Sequence, residues 1–346
     1  MKHPPLAPGW IDRPHHQHDL GNFLLESGQT IRDAQVSYVL HGDPVHLKDR
    51  AILVTTSIGG THHRLDFLIG PGNALDTERF CVVAVDALGN GLSSSPSTST
   101  SQPRSLFPRF GMRDMVASQS RLLDALSVGK LVAVVGASMG GMQAVQWGVS
   151  NPGRMAGIVA MTPMAKTSRW SQLVNELTRR AFFMDAACVV PRPRKDALTL
   201  WTPLTELVMV RTPQSLAAFA SQGELLEWIE TRGRDLLGHG PDPFDWCHQT
   251  WAYDAHDVGL TPGFNGDTKA ALRQIRAAVI AFAPSCDLYN PPEEARSMCD
   301  VIPGAEFVEL PGHEGHKSAS GLFEEPTAVL RSRIREFMAS MVADTA

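Results

Sequence analysis

Short apolar runs alternate with amphipathic stretches along most of the chain. Runs rich in apolar and β-branched residues predict strands at 51–55, 81–86, 131–135, 157–161, 277–283 and 306–310. Between them, Met112 to Leu126 and the residues after Ser138 carry apolar positions at helical spacing. This alternation predicts an α/β fold in which a mostly parallel central sheet is flanked by helices.

Two segments depart from that alternation. Residues 23–42, FLLESGQTIRDAQVSYVLHG, contain two alternating runs around polar turn residues and predict an N-terminal hairpin. Between about 165 and 266, SQLVNELTRRAFFM and SLAAFASQGELLEWI predict helices and no strand pattern stands out. We therefore expect a core formed by residues 1–164 and 267–346, with residues 165–266 inserted as a helical lid over the C-terminal edge of the sheet.

The composition and charge of the chain argue against several classes of partner and site. The 346-residue chain has a net charge of -5 and no basic cluster interleaved with aromatics, which argues against nucleic acid. It has no apolar leader and no run of about 18 apolar residues, so we expect a cytoplasmic protein with no membrane span. The five cysteines lack paired spacing, which predicts neither disulfides nor a cysteine zinc site. His15, His16 and His18 could bind a metal, but a mobile, solvated N-terminal arm is the favoured interpretation.

The stretch GASMG, centred on Ser138, carries the strongest chemical signal. It directly follows an apolar run and opens a helical pattern, which is the strand–turn–helix context of a nucleophile elbow. Gly136 and Gly140 leave room for the tight turn that this arrangement requires. The following helix N-terminus directs free N–H groups towards developing negative charge. We therefore predict that Ser138 is a nucleophile.

A serine nucleophile needs a base, and the base needs an orienting acid. Asp287 lies in SCDLYNPP, directly after the predicted strand 277–283, where an acid is expected. The segment PGHEGHKSAS, after the predicted strand 306–310, offers two candidate bases, His313 and His316. The residues alone leave the choice between the two histidines open.

Several stretches resemble one family, among them LIGPGNALDTERF, FGMRDMVASQSRLLDAL and GASMGGMQAVQW. They are similar to the homoserine O-acetyltransferase family, whose members have the α/β-hydrolase fold. The resemblance implies that fold here, with Ser138 as the nucleophile and Asp287, in CDLYNPP, as the acid. It matches Gly315-His316 to the family's Gly-His pair, which makes His316 the expected base and His313 a loop residue.

An acyl-transfer site also needs donors for the oxyanion. The backbone N–H of Met139, which follows the nucleophile, is the first expected donor. The second comes from the loop TTSIGGTHH, where the resemblance places Ile58 at the donor position and leaves Ser57 as the alternative. His62 and His63 lie close by in sequence, and they line the pocket or belong to a surface loop.

The chain departs from the family where the amino and carboxylate groups of homoserine are held. The family's Asp after the base is Lys317 here, and a positive side chain repels an ammonium group. The resemblance aligns the family's acceptor-binding Arg with Thr202, beside Trp201. Arg179 and Arg180 are the remaining candidates for an anionic group, although salt bridges on a helix surface are the favoured interpretation.

These departures favour a serine carboxylic ester hydrolase over a transferase, because an acyl-enzyme without a positioned acceptor reacts with water. Bulky lid residues such as Phe182, Phe183 and Trp201 favour short, acetyl-type esters, and the mechanism needs no metal or organic cofactor. The expected partner is a small-molecule ester, and the resemblance implies a homodimer through the lid. The alternatives are an acyl-CoA-dependent O-acyltransferase and an inactive binding protein of the same fold.

Overall fold

The computed structural model describes residues 3–183 and 194–343. Eight strands form one sheet in the order β1-β2-β4-β3-β5-β6-β7-β8. Strands β1 and β2 pair antiparallel with each other, β2 pairs antiparallel with β4, and the remaining pairs are parallel. The strands are β1 (His15–Leu24), β2 (Thr30–His41), β3 (Ala51–Thr55), β4 (Cys81–Val85), β5 (Leu131–Ala137), β6 (Met155–Met161), β7 (Ala278–Pro284) and β8 (Glu306–Leu310).

The parallel strands are apolar because helices cover both faces of the sheet. Every residue of β3 and β4 is buried, as that arrangement requires. Thr55 pairs with Val85 on one side and with Gly136 on the other, so neighbouring strands end at the same level. The loops that follow the parallel strands consequently emerge at one edge of the sheet. All the strands predicted from the sequence are confirmed, with ends that differ by up to two residues.

Helices pack on the two faces of the sheet in two separate apolar clusters. Leu122, Trp147 and Met298 belong to the cluster on one face. Leu330 and Ile334 belong to the cluster on the other. The helices of this core are α1 (Met112–Ala125), α2 (Met139–Ser150), α8 (Thr268–Arg273), α9 (Pro292–Val301) and α10 (Glu324–Ala343).

Between β6 and β7 the chain is helical. The helices there are α3 (Arg169–Phe182), α4 (Arg194–Thr205), α5 (Pro213–Leu216), α6 (Gln222–His239) and α7 (Pro243–Asp254). In the described part of 165–266 the only β pairing is an isolated bridge between Lys166 and Asp257. The stretch SLAAFASQGELLEWI does not form one helix, because the Ser221 side chain accepts a hydrogen bond from the Glu224 N–H and begins α6 anew. Cys188 lies outside the described residues.

The predicted N-terminal hairpin is confirmed, but the prediction of a mobile arm before it is wrong. Strand β1 begins at His15, and its residues pair in register with β2: His15 with Val39, His16 with Tyr38 and His18 with Val36. The start of this strand has no alternating apolar pattern, since most of its side chains are polar. Backbone hydrogen bonds to β2 hold it in the sheet. Among the described residues, no helix is long and apolar enough to cross a membrane.

Candidate active site

Ser138 lies on the sharp turn between β5 and α2. Its backbone has φ +57° and ψ −123°, an uncommon conformation for a residue with a side chain. A Cβ on Gly136 would lie 2.2 Å from the Gly140 carbonyl oxygen, and a Cβ on Gly140 would lie 2.5 Å from the Thr55 carbonyl oxygen. Both positions therefore require glycine. The close approach of β3, β5 and α2 holds the turn and presents Ser138 at the carboxyl end of the sheet.

Three side chains from different strand ends meet in one line of hydrogen bonds. His316 Nε2 lies 2.8 Å from Ser138 Oγ, and His316 Nδ1 lies 2.7 Å from Asp287 Oδ2. The other carboxylate oxygen of Asp287 accepts from the backbone N–H groups of Tyr289 and Asn290, at 2.9 and 3.0 Å. If the Nδ1–H group donates its hydrogen bond to the Asp287 carboxylate, Nε2 carries no proton in the neutral ring and can accept the hydroxyl proton of Ser138.

The structure distinguishes the two candidate histidines. His316 lies in the 3₁₀ segment Gly315–Ser320 after β8, which turns its ring towards Ser138. The side chain of His313 is exposed, and its backbone carbonyl accepts a hydrogen bond from the Thr212 hydroxyl at 2.5 Å. Gly315 has φ +58°, and a Cβ there would come within 2.8 Å of Thr212. The turn that separates the two histidines therefore depends on this glycine.

The loop after β3 lies beside the nucleophile turn. The hydroxyl of Ser57 donates to the carbonyl oxygen of Ala137 at 2.8 Å and accepts from Arg64 Nε at 3.1 Å. Ser57 therefore anchors the loop with its hydroxyl rather than offering that group to a substrate. Within the described chain, neither the Ile58 N–H nor the Met139 N–H donates a hydrogen bond. Both remain available as donors.

Arg64 connects this loop to the segment that carries His316, and the sequence analysis missed it. Its guanidinium donates to Ser57 and, from Nη2, to the Ala319 carbonyl oxygen at 2.9 Å. Burial lowers the pKa of Arg64 to about 10, so the group keeps its charge at neutral pH. No sequence signal marks it, because an arginine in a loop is usually a surface residue.

A cavity of about 260 Å³ begins at Ile58 and extends under the helices of the inserted segment. Trp201 and Trp246 form part of its wall, and their rings meet edge to face at 4.9 Å. Trp201 also stacks on Phe182 at 5.3 Å. Polar groups complete the lining: Asn90, Arg232, Asp242, Asp245 and Gln249. The cavity thus combines an aromatic wall with a few convergent polar side chains, as small-molecule sites commonly do.

Lys317 is paired rather than free. Its Nζ lies 3.3 Å from Glu206 Oε2, and the same carboxylate contacts Arg232 at 3.0 Å and Arg211 at 3.5 Å. Burial by itself would raise the pKa of Glu206, but Lys317, Arg232 and Arg211 together lower it below its ordinary value. No pattern in the sequence marked Glu206. One carboxylate among three cations leaves this side of the site net positive.

Asp245 lines the cavity, and no pattern in the sequence marked it. Its carboxylate accepts hydrogen bonds from the Ser97 N–H at 2.9 Å and the Ser97 hydroxyl at 2.5 Å. Burial, followed by the nearby Asp242 charge, raises the pKa of Asp245 to about 7, against the hydrogen bonds from Ser97. A group that titrates near neutral pH therefore lies in the wall of the cavity.

Other candidates from the sequence lie apart from this cavity. Arg179 is buried and pairs with Glu176 at 3.0 Å and Asp254 at 2.7 Å, so it is not the surface residue expected. Thr202 is only 1 % exposed. Neither prediction for His62 and His63 holds, since both are buried, and they contact Asp86 and Asp66 rather than the cavity.

Arg180 lies on the exposed side of α3. It forms the expected surface salt bridge, with its Nε 2.9 Å from Glu176.

Comparison with known proteins identifies a fold family, a relative and a solved structure that are similar to this chain. The α/β hydrolase fold family matches residues 52–185. A homoserine O-acetyltransferase from Symbiobacterium thermophilum is 30% identical over 371 residues, covering 93% of this chain and 93% of its own. The acetyl esterase MekB superposes with a TM-score of 0.85 at 27% identity, over 94% of this chain and 97% of its own.

An acetylester hydrolase from Corynebacterium glutamicum superposes with a TM-score of 0.83 at 25% identity, over 94% of this chain and 96% of its own. The similarity to proteins named as esterases, and to one named as a homoserine O-acetyltransferase, extends over nearly the whole chain, including the inserted helices. The chain belongs to the homoserine O-acetyltransferase family of α/β-hydrolase-fold proteins.

Proposed function

We propose that this protein is a serine carboxylic ester hydrolase that acts on short, acetyl-type esters. The observation that carries the proposal is the unbroken line from Ser138 through His316 to Asp287, at 2.8 and 2.7 Å. A hydroxyl within hydrogen-bond reach of an oriented imidazole is what nucleophilic acyl transfer requires.

In the first half of the reaction His316 Nε2 takes the hydroxyl proton while Ser138 Oγ bonds to the ester carbonyl carbon. The backbone N–H groups of Met139 and Ile58 stabilise the resulting oxyanion, and each such donor contributes about 3 kcal/mol to the transition state in comparable sites. The tetrahedral intermediate then breaks its bond to the alkoxide, which leaves with the proton from His316. Asp287 stabilises the imidazolium between these two transfers.

In the second half water replaces the alcohol. His316 takes a proton from the water, the hydroxide adds to the acyl carbon, and Ser138 leaves with the proton returned to it. The charges around the site favour water over an amino-acid acceptor. The position after the base is Lys317, and Glu206 already contacts three cations, so this carboxylate is not free to pair with an ammonium group.

The cavity supports a short acyl or alcohol group. Its volume of about 260 Å³ lies just below the range of about 300–1,000 Å³ that is usual for small-molecule sites, and Trp201 and Trp246 close one side of it. The names of the structural relatives, an acetyl esterase and an acetylester hydrolase, agree with a two-carbon acyl group.

The second candidate is an O-acyltransferase that uses acyl-CoA. The observation that favours it is the 30% identity to a homoserine O-acetyltransferase over 93% of the chain. Both candidates share the acyl-enzyme on Ser138 and differ only in what attacks it.

The experiment compares the purified protein with Ser138→Ala on p-nitrophenyl acetate and, separately, on acetyl-CoA with homoserine. We expect rapid ester hydrolysis by the native protein, little release of CoA with homoserine, and loss of the ester activity by a factor of at least about 10⁴ in the variant. Circular dichroism controls for folding. Efficient acetylation of homoserine would favour the transferase, and an intact protein inactive in both assays would favour the binding protein.

The homodimer predicted from the sequence remains a proposal, and it has a candidate surface. Trp170, Leu173 and Leu177 lie along one side of α3 and are 50%, 56% and 41% exposed. Light scattering of the native protein and of Leu173→Glu tests this surface, since a charge in an apolar interface would release monomers.

A further inference from the structure

A group of histidines lies between the N-terminal segment and the loop after β3. The histidine cluster consists of His3, His15, His62 and His63. The ring of His3 stacks on that of His62 at 5.3 Å and meets those of His15 and His63 edge to face at 4.6 and 5.0 Å. The rings of His62 and His63 lie 4.2 Å apart. The proposed esterase mechanism uses none of these four side chains.

His62 has a nitrogen without a partner. The residue is 1% exposed, and its Nδ1 lies 3.0 Å from Asp86 Oδ2. Its Nε2 is buried and makes no hydrogen bond to any residue in the described part of the chain. A buried polar atom without a partner typically costs about 1–3 kcal/mol, so its presence calls for a ligand or a function.

His63 is oriented in the same way. Its Nδ1 lies 2.7 Å from Asp66 Oδ2, and its Nε2 lies 3.0 Å from His3 Nε2. The carboxylates of Asp86 and Asp66 thus occupy the Nδ1 atoms of both buried histidines and leave both Nε2 atoms for another partner. Carboxylates hold metal-binding histidines in this manner, since they fix the ring and increase the basicity of the other nitrogen.

The spacing of the nitrogens fits one ion. One ligand atom from each of His3, His62 and His63 lies within 4.8 Å of the other two. Two nitrogens bound to one tetrahedral zinc at about 2.0–2.1 Å lie roughly 3.4 Å apart, so small ring rotations are enough to converge them.

We infer that His3, His62 and His63 bind one divalent transition-metal ion of the zinc class through their Nε2 atoms. A set of three neutral imidazoles suits zinc and its neighbours in the first transition series and does not suit calcium or magnesium, which prefer oxygen. Water completes a tetrahedral shell, and the ring of His15 packs beside it.

The ion would join two parts of the chain. His3 belongs to the segment before β1, whereas His62 and His63 follow the loop that carries Ile58. Other contacts already hold the segment in place, since the ring of Trp10 stacks on that of His63 at 4.3 Å and the Ile11 N–H donates to Asp66 Oδ2 at 2.7 Å. A metal that binds the folded protein preferentially stabilises it, so the site would act as a clamp on the N-terminal segment.

The test uses untagged protein stripped with a chelator, because a histidine tag would bind the same ions. Zinc is added, and its affinity is measured by competition with a chromophoric chelator for the native chain, His3→Ala, His63→Ala and the control His16→Ala. His16 belongs to β1 but not to the histidine cluster. We expect one zinc per chain, at least about 10-fold weaker binding in both cluster variants and unchanged binding in the control.

Three further readouts separate metal binding from folding. Cobalt(II) should give visible bands of a four-coordinate nitrogen site with the native protein and the control, and zinc should raise their Tm by several degrees. His3→Ala should retain the native rate of ester hydrolysis. That rate would show that the variant is folded even though it binds zinc weakly. Less than one tightly bound zinc per native chain, or equal affinity in native protein and His3→Ala, would overturn the inference.

Discussion

The carboxyl edge of the sheet and the inserted helices contribute different things to one site. At the sheet edge, residues far apart in sequence meet because parallel strands in register end at the same level, and glycine positions hold the serine turn. In the helices, the polar groups of the cavity depend on pairs between separate elements, such as Arg232 with Glu206 and Asp245 with Ser97.

We therefore expect the sheet edge to govern the rate of the proposed reaction and the inserted helices to govern its selectivity. In the proposed reaction the sheet edge supplies the groups for acyl transfer, and relatives with hydrolase names and with transferase names share the fold that positions them. The helices supply the charges that a second substrate would meet. Changes at the sheet edge should therefore alter rate, whereas changes in the helices should alter stability, pH dependence or acceptor choice.

The largest expected effect tests the sheet edge. His316→Ala should lower kcat for p-nitrophenyl acetate by about 10⁴-fold or more, because Ser138 loses the base that takes its proton. The matched control, His313→Ala, removes an exposed ring from the same loop and should stay within about twofold of the native rate. Steady-state kinetics measure both, and the opposite order would make His313 the base.

An intermediate effect tests the helices. Glu206→Gln leaves Lys317, Arg211 and Arg232 without their shared carboxylate, and we expect a loss of about 2 kcal/mol in the free energy of unfolding, less than for a fully buried pair because Arg232 is 42% exposed. Denaturant titration measures it.

Glu230→Gln is the control for this experiment, since it removes only a solvent-exposed contact with Arg234 at 3.9 Å and should change stability by less than about 0.5 kcal/mol. Equal losses in the two variants would contradict a special role for the Glu206 cluster.

The last expected effect depends on pH. Burial raises the pKa of Asp245 from its ordinary value of 3.8 to about 7, so the folded state binds its proton more tightly than the unfolded chain does. Its contribution to stability is therefore most favourable below about pH 4 and declines as the pH rises to about 7. Asp245→Asn does not titrate, and its Tm relative to the native protein should rise by several degrees across that window and then level off. A difference that stays constant from pH 4 to pH 8 would refute the raised pKa.

The sequence predicted the elements that depend on local pattern. Buried parallel strands read as apolar runs, and GASMG carries its glycines because backbone atoms approach within 2.2 and 2.5 Å of where their Cβ atoms would lie. Strand β1 was partly missed because His15 to His18 are polar and mostly exposed, and only backbone pairing with β2 makes them a strand. The order of Ser138, Asp287 and His316 was predicted, and the structure joins their side chains by hydrogen bonds.

The sequence by itself therefore determined the α/β alternation, the serine turn and the candidate acid and bases, since each depends on residues close together in the chain or on an order of strands. Only the tertiary structure decided which charges are paired. Arg64, Glu206, Asp245 and the carboxylates behind His62 and His63 owe their roles to partners brought close by folding. The charge state of a buried group depends on its distance to such partners and on its desolvation. Neither quantity can be predicted from the residues next to it in sequence.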